Sequence, residues 1–107
     1  MDLDPIRGHE ADTVRPAVIV SNDGANRAAE RRAHGVVTVV PLTSNTARIL
    51  PFQTLLPGAR TGLDLDSKAQ SEQVRSVDSI RLVRRVGAVP PALMSEIDDD
   101  LRLHLAL

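Results

Sequence analysis

Arg15-Pro16-Ala17-Val18-Ile19-Val20 and Gly35-Val36-Val37-Thr38-Val39-Val40 are the stretches whose reading decides the fold. Each is a short β-branched run opened by a chain breaker, the composition of a core strand. Between them, Ser21-Asn22-Asp23-Gly24 supplies turn and capping groups, and Asn26–Arg32, rich in Ala and Arg, predicts a short exposed helix or turn. Downstream, Phe52-Gln53-Thr54-Leu55-Leu56 predicts a third strand, stopped by Pro57-Gly58. The stretch Ala59–Asp66 reads as irregular loop. Ser67–Ser76 alternates polar and small residues and predicts a strand with one wet face, and Val83–Val89 predicts a last one. The period then changes. Leu93, Met94, Ile97, Leu101 and Leu105 recur at helical spacing, with Pro90 and Pro91 where a helix can begin and Glu96 near its positive end. The expected architecture is mainly β (α+β), with about five short strands closing into a small barrel under a C-terminal amphipathic helix. One domain over residues 1–107 accounts for the length.

Composition narrows the function. Of the 107 residues 42% are hydrophobic and 25% charged, which is ordinary globular usage. No apolar run approaches the ~20 residues of a membrane helix, and no signal peptide is evident, so a soluble, cytoplasmic domain is expected. With no Cys, a disulfide framework, a thiolate nucleophile and a Cys-based zinc site are excluded. The net charge of −1 hides an asymmetry, because Glu96, Asp98, Asp99 and Asp100 crowd the C-terminus while the rest is slightly basic. Lys68 is the only lysine among the 13 basic residues. The planar fork of arginine suits phosphate, although solvated surface arginines explain the count as well. Phe52 is the only aromatic residue, so binding of single-stranded nucleic acid would rest on hydrogen bonds, backbone groups and guanidinium planes instead of aromatic stacking.

Several blocks, taken in order, resemble a known family. They are Leu3-Asp4-Pro5, Gly8-His9-Glu10, Arg15 to Asp23, Val39-Val40-Pro41-Leu42-Thr43-Ser44, Glu72 to Asp78, and Arg81-Leu82 to Val86-Gly87. Together they are similar to the MazF/PemK toxins. The resemblance implies an SH3-like antiparallel barrel, a homodimer, and a metal-independent endoribonuclease that cleaves single-stranded mRNA at short sequences, with no cofactor. It also implies a MazE-like antitoxin that occupies the RNA groove. Family members usually begin with a strand carrying Gly, an acidic residue, an aliphatic and Trp. Here Met1-Asp2 falls inside that strand, so its first part, roughly eight residues or about 25 Å, is expected to be missing.

Metal-free RNA cleavage uses the neighbouring 2′-hydroxyl as nucleophile and gives 2′,3′-cyclic phosphate and 5′-hydroxyl ends. The protein then has to move protons and stabilise a charged phosphorane. By resemblance Arg15 matches the catalytic arginine of the family. Its pKa makes it a clamp for phosphate and transition-state charge, not a base; the plainer reading is an arginine paired to an acidic neighbour at a strand end. Thr43 matches the catalytic threonine, and a hydroxyl there can bond a phosphoryl oxygen, or else its own turn. His9 matches a functional histidine in one branch of the family and is the side chain best suited to acid–base work near neutral pH, against the alternative of a solvent-exposed loop histidine. His34 and His104 read as surface residues, and the three histidines form no metal triad. Glu72 matches a catalytic aspartate of the same branch; as base or orienting group it competes with a plain salt bridge to Arg75. Gln70 stands where that branch has an arginine. Ser44, Asn45, Arg48, Gln70, Gln73 and Arg75 are candidate RNA contacts, with the loops Asn45–Leu50 and Arg60–Asp66 expected to hold bases. Two other readings stand beside the ribonuclease: a non-catalytic barrel that binds RNA or antitoxin, and a gyrase-targeting toxin like CcdB.

Overall fold

The computed structural model describes the backbone of residues 5–10, 14–32 and 35–107, and the side chains of residues 15–32 and 35–107. Leu3-Asp4, His34 and the side chain of His9 lie outside the described residues. The elements run β1 (Pro5–Glu10), β2 (Val14–Ile19), α1 (Asp23–Arg31), β3 (Val36–Thr43), β4 (Gln53–Leu56), α2 (Gly58–Thr61), β5 (Ser67–Gln70), β6 (Arg75–Asp78), β7 (Leu82–Ala88) and α3 (Pro91–Leu105). Two 3-10 turns, Ser71–Gln73 and Ser79–Arg81, flank β6. All pairings are antiparallel, in the order β4-β5-β3-β2-β1-β7, with β6 also paired to β3.

The valine runs lack a polar alternation because β2 and β3 are covered on both faces. On one face Val18, Val40 and Leu42 pack with Leu56, Ala69 and Val89 beneath Leu93, Met94 and Ile97 of α3. On the other, Ala17, Ile19, Val37, Val39 and Val77 pack with Ala29 of α1. The turn chemistry that opens α1 also ties it down. Asn22 Oδ1 accepts from the Ala25 amide at 2.8 Å, and Ser21 Oγ accepts from the Thr38 amide at 3.1 Å. Pro91 occupies the first turn of α3.

Three expectations need correction. The single strand over Ser67–Ser76 is two, because both β5 and β6 run along the same edge of β3 with extra chain between them. Val39 pairs with Arg75 and Leu42 with Ala69, so a three-residue step on β3 faces a six-residue step opposite, and the 3-10 turn takes up the excess. The stretch after Pro57 opens with the one-turn helix α2, stabilised by Thr61 Oγ1 donating to the Pro57 carbonyl at 2.9 Å. The strands number seven among the described residues, not about five, since β1 and the split β5–β6 add to those read from composition.

Among the described residues no ladder joins β4 to β7, the two ends of the sheet. The turn after β4 bridges them by close packing instead. A Cβ on Gly87 of β7 would overlap the Thr61 carbonyl oxygen, and Gly62, at φ +88°, takes a left-handed conformation against the Val86 carbonyl. Under α3, the buried Asp100 carboxylate accepts from Thr54 Oγ1 of β4 at 2.6 Å. Burial raises its pKa above the usual carboxylate value; the Thr54 hydrogen bond pulls the other way, and the nearby Asp99 charge adds to the rise.

Candidate active site

The sheet brings the start of β2 beside the end of β3. Ala17 pairs with Pro41 as the last pair of that ladder, so Arg15 and Thr43 each lie two residues beyond it at the same end of the sheet. On the other edge of β2, Arg15 pairs with His9 of β1. His9 therefore stands in a strand, at the register position opposite Arg15, and not in a loop before it. Residues far apart in the chain thus reach the same end of three neighbouring strands.

Arg15, Thr43 and Ser44 line an open cleft of about 560 Å³. Its apolar lining comes from Leu42, Leu63, Leu65 and Val86, and Asp64 and Arg84 add charged groups to it. Arg15 is exposed and Thr43 half-buried. The Thr43 Oγ1 accepts from the Asn45 amide at 3.2 Å, which fixes the oxygen through its own turn and leaves the hydroxyl proton available for donation. The turn reading of Thr43 is therefore observed, and it is compatible with a hydroxyl that still donates. A mobile anion in this cleft would meet a fork of donors from Arg15 and a pre-set hydroxyl from Thr43, a pair suited to a phosphoryl group.

Among the described residues, Asn45, Arg48, Gln70, Glu72, Gln73 and Arg75 do not line the cleft. Asn45 and Arg48 lie on the exposed loop after β3. The loop is held at several points: Asn45 Oδ1 accepts from the Ala47 amide at 3.4 Å, and Lys68 Nζ donates to the Arg48 carbonyl at 2.7 Å. Gln70 ends β5 opposite Gln53, Gln73 is exposed on the 3-10 turn, and Arg75 is exposed at the start of β6. Glu72 points its carboxylate inward. Its Oε2 accepts from Gln53 Nε2 at 2.9 Å, Gln53 Oε1 accepts from the Leu50 amide at 3.0 Å, and Glu72 Oε1 is buried without a partner among the described residues. That arrangement anchors the end of the loop that starts at Ser44.

Sequence reasoning missed Arg84, because only the strand order brings β7 to within one strand of β2. The loop Arg60–Asp66 does contribute to the cleft, through Leu63, Asp64 and Leu65. Among the described residues no group of three or more His, Cys, Asp or Glu side chains is placed to hold a metal ion.

The chain's likeness to known proteins runs along its length. The model of the PemK-like, MazF-like toxins of type II toxin-antitoxin systems matches residues 1–105. The endoribonuclease MazF9 of Mycobacterium tuberculosis (strain ATCC 25618 / H37Rv) is 54% identical over 107 residues, covering 100% of this chain and 91% of the relative. The endoribonuclease EndoA of Bacillus subtilis (strain 168) is 30% identical over 106 residues, covering 99% and 88%. Among solved structures, Mycobacterium tuberculosis toxin MazF-mt6 superposes with a TM-score of 0.81 at 21% identity, covering 96% of this chain and 97% of the other. An endoribonuclease in complex with its cognate antitoxin, from a mycobacterial species, superposes at 0.77 with 24% identity, covering 96% and 92%. These two structures establish the antiparallel fold with its C-terminal helix. A family model that spans nearly the whole chain, with a relative more than half identical along all of it, places this chain in the PemK-like, MazF-like toxin family of type II toxin-antitoxin systems.

Proposed function

We propose that this chain is the toxin of such a system, a sequence-specific endoribonuclease that cleaves single-stranded mRNA in the cytoplasm and so inhibits translation and growth. The observation that carries the reading is the convergence of Arg15 and Thr43 on one cleft. This pair favours a ribonuclease over a gyrase poison, which needs no phosphate clamp beside a donor hydroxyl.

In the proposed reaction the 2′-oxygen of the substrate forms a bond to phosphorus and the bond from phosphorus to the 5′-oxygen breaks. The 2′-proton leaves to a base, and a proton reaches the 5′-oxygen, giving a 2′,3′-cyclic phosphate and a 5′-hydroxyl. Arg15 stabilises the charge that grows on the phosphoryl oxygens, and the Thr43 hydroxyl donates a hydrogen bond to one of them. His9, at the register position opposite Arg15, serves as the proton carrier. Glu72 holds the loop after Thr43 through Gln53, while Ser44, Asn45, Arg48, Gln70, Gln73 and Arg75 contact RNA in and beyond the cleft. Arg15 and Thr43 supply charge stabilisation of the kind a metal would otherwise give, and the proposed reaction is metal-independent. Digestion of single-stranded RNA in excess EDTA tests this: undiminished cleavage to cyclic-phosphate ends is expected. Activity lost with EDTA and restored by Mg²⁺ would overturn the mechanism.

A further inference from the structure

Arg84 lines the cleft from β7, and nothing in the reaction above uses it. It is exposed, and among the described residues it makes no hydrogen bond or ion pair, even to Asp64 in the same cleft. The adjacent Arg85 behaves differently. Alternation along the strand sends it to the other face, where its Nε donates to the Gly87 carbonyl at 3.3 Å. Strand β1 lies between the two cleft arginines, with His9 level with Arg15 on one edge and Gly8 level with Arg84 on the other. Two ladder spacings, ~10 Å, therefore separate their backbones. Gly8 and His9 are successive residues of β1 and the β1–β7 register shifts between them, so the ladder alone does not set the two arginine side chains on one face. It is their shared lining of the cleft that lets the two forks take neighbouring phosphates of one strand, with Leu63 and Val86 left for a base or sugar.

We infer that Arg84 forms a second phosphate subsite, holding the phosphodiester next to the one that is cleaved. The inference rests on the ribonuclease reading and deepens it. Arg84 is a positioning residue: the phosphate it holds carries the same charge in the ground state and the transition state, so its contribution is to binding more than to the chemical step. Its ligand is the sugar–phosphate backbone, which also makes the contact indifferent to base sequence.

The test uses the full chain with single-stranded RNA of randomised sequence. Steady-state cleavage is measured on ordinary RNA, and binding is measured on the same pool carrying 2′-O-methyl groups, which lack the nucleophile. Arg84→Ala is expected to raise KM about 5- to 10-fold with kcat lowered less than about twofold. The slope of log affinity against log salt between 50 and 200 mM should become shallower by ~0.7, the increment for one phosphate contact on a single strand. Arg84→Lys should restore the slope, because a point charge also releases a counterion. Wild-type cleavage with an unchanged salt slope in Arg84→Ala overturns this subsite alone. A loss of kcat at unchanged KM also overturns it, since that pattern belongs to the scissile phosphate. A wild-type protein that neither binds nor cleaves the RNA overturns the ribonuclease reading and the subsite with it.

Discussion

Arg15 and Thr43 share a phosphate in the proposed reaction but fail differently when replaced. Arg15→Ala removes a fork of charged donors at the developing charge, and kcat/KM for RNA cleavage is expected to fall at least ~100-fold, with the fold intact. Arg15→Lys should recover little, because an ammonium does not reproduce the planar fork. Thr43→Ala should cost an order of magnitude or more, and Thr43→Ser should keep most of the rate, since the turn still orients a hydroxyl through the Asn45 amide. Wild-type turnover by folded Arg15→Ala would contradict the assignment. Gly87 is a residue of another sort. A methyl there meets the Thr61 carbonyl oxygen, a backbone atom that no rotamer change can move aside. Gly87→Ala is expected to destabilise the protein by about 1–3 kcal/mol and to loosen the turn that helps line the cleft. A melt at the wild-type temperature would show that the turn yields freely.

At the scale of elements, α3 is fastened to β4 by more than its aliphatic stripe. Leu93, Met94 and Ile97 are buried as the spacing predicts, but Leu105 is 50% exposed, and Asp100 occupies the buried face in its place. The folded state binds a proton at Asp100 more tightly than the unfolded chain does, because burial penalises the carboxylate. Its contribution to stability is therefore full below the unfolded carboxylate value and is lost as pH rises through the raised folded one. Asp100→Asn keeps an oxygen that accepts from Thr54 and removes the buried charge. Its Tm is expected to exceed that of the wild type at pH 7, with the gap closing near pH 3–4. A lower Tm at pH 7 would mean that the charge is compensated. Thr54→Val, which strands the carboxylate without its donor, should destabilise by about 2 kcal/mol at pH 7. Asp100 was not legible as a core residue, because an acid in an acidic run reads as solvated surface. The division of β5 from β6 was hidden for a similar reason: Ser71-Glu72-Gln73 continues the polar alternation on either side of it.

At the scale of the molecule, the fold leaves apolar surface outside. Val36 is 66% exposed, Ile80 73% and Leu103 62%, and a chain with one aromatic residue has few large side chains with which to fill its own interior. Burying such surface between two copies stabilises at ~25 cal/mol per Å², so a homodimer is proposed and light scattering at micromolar concentration should report twice the monomer mass. The antitoxin is proposed to enter as an extended acidic segment whose carboxylates take the place of phosphate at Arg15. A peptide of that character should displace RNA. A strictly monomeric protein refutes the first expectation, and a peptide that binds without displacing RNA refutes the second.

The strands around Val18 and Val37, the helix after Asn22 and the helix after Pro91 were legible in the sequence because each is specified locally, by β-branching, by a cap or by a period. Arg15 and Thr43 stood out through a resemblance spread over the whole chain. Their meeting in one cleft was decided by the antiparallel register of β2 on β3, which pairs Ala17 with Pro41 across 24 positions and brings the strand ends beyond them together, a pairing that no local pattern encodes. The same holds for Arg84, brought in by the order β2-β1-β7, and for Glu72, turned inward to Gln53. Local propensity sets which segments extend or coil. Which side chains face one another depends on pairing across the sheet, and that is a property of the folded chain alone.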